Sequence, residues 1–271
     1  MITPIPDFAN KADLFDWLKL NEKKLIAEKV KFKNTGDVVK HAPSFISGTE
    51  ANKSADPNLP KDELQVKAII NTTNLLDSYF DVHIPGLWDK SLSENKYMYH
   101  LQEHKTSFDK VIAEGSAVKA YVQNFTWKEL GFDYTGTTQA LVFDSTIKAV
   151  DNPMMFSKYQ QGKVRQHSVG MQYIKVQMAI DSNHKDDEKY KQAWDKYYPQ
   201  IANKEMADKY GFFFAVTEAK ANEGSAVMFG ANYATPTLET KEHGAAESTP
   251  NKPEQSTSKF FQTIINNLNK K

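Results

Sequence analysis

Apolar residues between positions 11 and 33 recur near helical spacing, at Leu14, Trp17, Leu18, Leu25 and Ile26, with Lys and Glu between them. The pattern predicts an amphipathic helix capped by Asn10. Residues 34–62 turn polar and carry Gly36, Pro43, Gly48, Pro57 and Pro60, the signature of a linker or long loop. From Leu64 the periodicity changes. Strands are predicted over 64–70, 97–101, 110–115, 117–127, 139–143, 164–180, 211–216 and 225–229, with a short helix over 86–95. Asn152 and Pro153 read as the N-cap and first position of another helix, closed by Gly162. The Lys- and Tyr-rich stretch 182–209 reads as a helical insertion on the surface. Residues 236–257 are rich in Ser, Thr, Glu, Pro and Gly without periodicity, which predicts a disordered linker. It leads to an amphipathic helix over 258–271, whose Phe261, Ile264, Ile265 and Leu268 share a face. A helix this short is marginal alone in water, which suggests a docking element on a tether.

Strands this numerous, with few helices between them, argue against a doubly wound parallel sheet. The expected fold is α+β and mainly antiparallel, a closed β-barrel surrounded by helices. The chain divides into a helical extension and linker (1–63), a main domain (64–235, with the 182–209 insertion), a linker (236–257) and a terminal helix (258–271).

Composition narrows the chemistry. The 34 basic and 34 acidic residues cancel, so a nucleic-acid partner is not expected. The absence of cysteine excludes a thiol nucleophile, a thiolate metal site and disulfides. No apolar run approaches the ~20 residues that span a bilayer, and the first residues do not read as a secretory signal. The expectation is a soluble, intracellular protein with no membrane partner.

Arg165 is the single arginine of the chain, and it opens the segment Arg165-Gln166-His167-Ser168-Val169-Gly170-Met171-Gln172. In a strand Gln166, Ser168, Gly170 and Gln172 share one face, and Arg165, His167, Val169 and Met171 the other. His167 is therefore badly placed to act as base for Ser168. Gly170 leaves space beside the serine, as a substrate approaching the backbone would require. A serine hydroxyl needs a base, and the base needs an orienting partner. Of seven histidines, His100 and His104 are the candidates for the base. Their segment also matches H-x-x-E-H, with His100 and His104 as zinc ligands and Glu103 as base, which requires a helix. Glu218 and Glu223 are the carboxylates for the third position. Arg165 acquires no role.

Four segments, in order, resemble tailed-phage prohead proteases, the capsid-maturation serine proteases related to herpesvirus assemblins. They are Ile84-Pro85-Gly86-Leu87-Trp88 before a short helix, Leu101-Gln102-Glu103-His104 followed by Ile112-Ala113-Glu114-Gly115, His167-Ser168-Val169-Gly170-Met171, and Glu223-Gly224-Ser225-Ala226-Val227-Met228-Phe229-Gly230-Ala231-Asn232. The resemblance covers about residues 64–235. It implies a serine endopeptidase with Ser168 as nucleophile, His104 as general base and Glu223 as the acid, Glu218 standing second. It implies no metal or organic cofactor. The implied substrates and partners are the major capsid protein, the scaffold and the enzyme's own tails, inside the immature capsid in the host cytoplasm. The alternatives are a zinc protease through His100, Glu103 and His104, or a non-catalytic scaffold or assembly protein.

Overall fold

The structure is a computed structural model that describes residues 5–31 and 51–244. The expected terminal helix, residues 245–257 of the expected linker, and most of the first linker lie outside the described residues. Helix α1 (Lys11–Val30) is followed by β1 (Asn52–Asp56), β2 (Glu63–Thr72), β3 (Asp81–His83), α2 (Asp89–Glu94), β4 (Tyr99–Gln102) and β5 (Val111–Glu114). Then come β6 (Val118–Thr126), β7 (Thr137–Lys148), α3 (Pro153–Gln160), β8 (Gln166–Ile180), α4 (Glu188–Tyr197), α5 (Lys204–Tyr210), β9 (Phe212–Val227) and β10 (Thr237–His243).

The helix signals act locally, as capping chemistry predicts. Asn10 Oδ1 accepts from Asp13 N at the start of α1, and Asn152 Oδ1 from Met155 N at the start of α3. Gly162 takes the left-handed conformation just past α3, where a side chain would be strained.

The fold is α+β and mainly strands. One sheet runs β1-β10-β2-β7-β6. In the other, β9 is central: β8 lies antiparallel along one edge, and β3 and β4 lie parallel to successive parts of the other edge, with β5 beyond β4. The expected closed barrel is not formed, because the ladders remain two separate sheets. Between β2 and β8 the seam is spanned by the segment before β10: Ile69 N donates to Pro236 O, and His167 N to Thr235 O. The main core lies between the sheets and includes Ile70, Leu141, Phe143, Val169, Met171 and Ala226.

Three strands were not legible in the chain. β1 (Asn-Lys-Ser-Ala-Asp) is an edge strand with no apolar alternation. β10 occupies residues expected to be disordered linker; its buried positions are Thr237 and Thr240, and pairing on both sides compensates for its polarity. β3, Asp81–His83, is only three residues long and falls between the predicted elements. The two predicted strands at 211–216 and 225–229 are one continuous strand, β9.

The 182–209 insertion is the connection between β8 and β9, and it is not merely superficial. The far half of the β8–β9 ladder is held between helices. Phe212 and Phe214 pack with Leu14, Phe15, Leu18 and Leu25 of α1, while Phe213 and Ala215 pack with Ala193, Trp194 and Tyr197 of α4 and Ala207 of α5. Strand alternation sends neighbouring residues to opposite faces, so each face acquires its own helical cover. Helix α1 is anchored further by the buried Lys29, which pairs with Asp81 and donates to Tyr79 O at 3.1 Å. Tyr173 donates to the other Asp81 oxygen (2.9 Å), so its own oxygen accepts from His83 Nε2–H (3.0 Å). His83 Nδ1 then accepts from Asn71 Nδ2–H at 2.9 Å.

Candidate active site

The near half of the β8–β9 ladder brings together the residues expected to cooperate. Ser168 stands directly opposite Ser225, and Gly170 opposite Glu223. Directly opposed residues share a face, with Cβ atoms about 4.5–5.5 Å apart. On the other edge of β9, β4 runs parallel, and Glu103 N extends the ladder by donating to Ala226 O. The chain then reverses. Lys105 N donates to Gln102 O, and both central residues have positive φ, 55° at Glu103 and 56° at His104. That is the pattern of a type I′ turn, which Gly and Asn normally supply. Two side-chain-bearing residues in left-handed conformation are costly and persist only where the surroundings hold them. Here His104 N donates to Ser225 Oγ at 3.1 Å, and the turn brings His104 back over β9.

His104 Nδ1 lies 2.6 Å from Glu223 Oε1. The second carboxylate oxygen, Oε2, accepts from Ser225 Oγ at 2.6 Å. Glu223 is 4 % exposed and His104 7 %, so this pair sits where hydrogen bonds to a charged group are strong. An ionised carboxylate only accepts, which fixes Nδ1 as the protonated nitrogen. The lone pair of Nε2 is left available, and Nε2 has no hydrogen-bond partner among the described residues. Ser168 is half-buried and its Oγ likewise has no partner there. No direct Ser168–His104 hydrogen bond is present; catalytic hydrogen bonds are often long before substrate binds.

Gly170 has a different use from the one expected. A Cβ at this position would lie 1.9 Å from Glu223 Oε1 and 2.7 Å from its carboxyl carbon. The space beside Ser168 is filled by the Glu223 side chain, not kept open for substrate. Ser225 is a second serine in the cluster, but it is fully buried and its proton is committed to Glu223. Ser168 is the accessible one.

The remaining expectations separate cleanly. Glu218 does not reach His104; it pairs with Lys175 and, at 3.5 Å, with Lys90, and the hydrogen bond from Lys175 holds its carboxyl below the usual range. The H-x-x-E-H segment is a strand followed by a turn, not a helix. His100 faces the interior, Glu103 is exposed and pairs with Lys105, and His104 faces Glu223, so the three do not converge on a metal. Among the described residues no cluster of three His, Asp or Glu side chains has metal-binding geometry. Arg165 is exposed and immediately precedes β8.

His100 and His167 belong to a buried relay under the site that the sequence did not suggest. Thr235 O can only accept, so His167 Nδ1 donates to it (3.1 Å). His167 Nε2 therefore accepts from the Tyr159 hydroxyl (2.8 Å). That uses the only tyrosine proton, so His100 Nε2–H donates to Tyr159 Oη (2.9 Å), and His100 Nδ1 accepts from Ser145 Oγ (2.9 Å). Every polar atom of both rings is satisfied with both histidines neutral. Burial lowers His100 well below the ordinary histidine value, with the nearby His167 adding to the shift, and lowers His167 to about 4. Burial also raises the Tyr159 hydroxyl far above its usual value. The relay ties α3, β4, β7 and the residue next to Ser168 together. Its only sequence signal is a histidine at an interior-facing strand position.

Comparison of the chain with models of protein families, with curated proteins and with solved structures finds no match.

Proposed function

We propose that the protein is a serine endopeptidase of the prohead-protease kind, with Ser168, His104 and Glu223 as its working residues. The observation that carries the reading is the Glu223–His104 hydrogen bond through Nδ1, with Ser168 on the same face one strand away. Ser168 Oγ attacks the peptide carbonyl as His104 Nε2 takes its proton. Glu223 holds the imidazole and stabilises the imidazolium formed. The proton then passes to the leaving amine. Water, activated by the same histidine, hydrolyses the acyl-enzyme. We read the two sheets as halves of an open barrel, in keeping with the resemblance in sequence. On that reading the substrates are capsid-protein or scaffold segments and the enzyme's own tails, cut inside an immature capsid.

The test is covalent labelling of the full chain with a fluorophosphonate, which reacts with activated serines, alongside expression with capsid protein and scaffold. The wild type is expected to be labelled at Ser168 and to yield shortened species; Ser168→Ala is expected to lose both. Shortened species that persist in Ser168→Ala and vanish with a chelator would sink the serine mechanism. A wild-type chain that neither labels nor cuts would favour the scaffold reading.

A further inference from the structure

Ser225 is the member of the cluster to which the triad logic gives no role, and its position is specific. Its side chain is fully buried on the same face as Ser168. Its Oγ makes two hydrogen bonds of opposite sense: it donates to Glu223 Oε2 at 2.6 Å and accepts from His104 N at 3.1 Å. One hydroxyl thus grips both the acid and the backbone of the base.

We infer that Ser225 is a positioning residue that locks the Glu223–His104 pair in working geometry; the inference rests on the protease reading above. Two degrees of freedom need control here. A glutamate has three rotatable bonds, and a carboxylate held by one oxygen can swing about that contact. Donation to Oε2 removes the swing and leaves Oε1 facing His104 Nδ1. The second freedom is the backbone. His104 sits at φ 56°, a conformation a histidine leaves readily unless it is held. Acceptance of its N–H by Ser225 Oγ supplies that hold from inside the site. The main-chain bond of Glu103 to Ala226 holds the preceding residue, so the turn is fixed at two successive points along β9. Gly170 contributes the remaining wall, since Glu223 lies against it. Ser225 itself does not touch the reacting atoms.

The expected consequence is a loss in kcat with little change in KM, because substrate contacts are untouched. Loss of a hydrogen bond to a charged group corresponds to a fall of about 10- to 150-fold in kcat for Ser225→Ala. Ser225→Thr keeps the hydroxyl and should recover most of the rate. The discriminating readout is the His104 Nδ1 proton in the NMR spectrum of the ¹⁵N-labelled full chain. Held against a carboxylate, it should resonate far downfield. In Ser225→Ala that resonance should move upfield or broaden by exchange, while Ser225→Thr and Ser168→Ala retain it. An unchanged resonance and unchanged kcat in a folded Ser225→Ala protein would overturn the inference. So would a rate loss with the resonance unchanged, which would mean a merely structural role. The resonance is independent of proteolysis: if it responds to Ser225→Ala while the wild type never labels or cuts, the positioning stands and the protease reading falls. Should Ser225→Ala fail to fold, Ser225→Cys, a weaker donor of similar size, must show an intermediate resonance shift for the inference to survive.

Discussion

If the proposed mechanism holds, replacing Gly170 by alanine should disable the site without altering Ser168, His104 or Glu223. The new methyl carbon would lie 1.9 Å from Glu223 Oε1, 2.7 Å from Cδ and 2.9 Å from Cγ. The obstruction spans the carboxylate and its stem, so a small rotation does not relieve it. To reach even a 3.0 Å separation, Oε1 must withdraw by about 1 Å. A displacement of that size is large against the 2.6 Å contact with His104 Nδ1, and wherever it carries Oε1 away from the ring it takes the pair beyond hydrogen-bonding range. A misplacement of about 1 Å costs roughly 10²-fold in rate, and loss of the orienting carboxylate up to about 10⁴-fold. The expected fall in fluorophosphonate labelling of Ser168, and in kcat/KM, therefore lies between about 10²- and 10⁴-fold. The assay should be run in two backgrounds. In a Glu223→Ala protein the obstructed side chain is gone, so Gly170→Ala should cost little more. Undiminished labelling of a folded Gly170→Ala protein would refute the packing argument. An equal loss in both backgrounds would show that the effect does not pass through Glu223.

Other substitutions probe the surroundings. Lys29→Met should destabilise the fold by about 3 kcal/mol in urea titration, because it leaves the buried Asp81 without its cation. Tyr159→Phe removes the hydroxyl between two buried imidazoles and should cost about 2–4 kcal/mol by the same measurement. Acid should weaken the fold through His167, whose folded value of about 4 lies below its ordinary 6.5. The unfolded chain then binds the extra proton first, so this stability is full above pH 6.5 and declines as pH falls toward 4, by about 3 kcal/mol in all; equilibrium unfolding at stepped pH measures it. Glu218→Gln and Glu103→Ala, by contrast, should leave Ser168 labelling within about twofold of wild type, since neither carboxylate approaches His104.

Local chemistry made some features legible in the chain. The caps at Asn10 and Asn152, the helix stop at Gly162 and most strands follow from side-chain type and near-neighbour spacing, which act over a few residues. Strand parity correctly separated Ser168 from His167, because alternation is a property of the strand itself. The choice of Ser168, His104 and Glu223 rests on resemblance; the structure brings His104 and Glu223 into contact with each other and leaves Ser168 on the adjoining strand, on the same face. Nonlocal pairing decided the rest. Threonine-rich β10 and polar β1 become strands only because each finds a partner elsewhere. Glu223 and Glu218 are five residues apart on one strand, and only the register against β8 and β4 puts one beside His104 and the other beside Lys175. The turn that carries His104 uses residues whose types do not announce left-handed backbone; Ser225, distant in the chain, holds it there. By itself the sequence determined which residues were capable of the chemistry and which faces they share. Only the tertiary structure decided which of them meet, because long-range hydrogen bonds and steric fit depend on register, and register is set by the whole sheet.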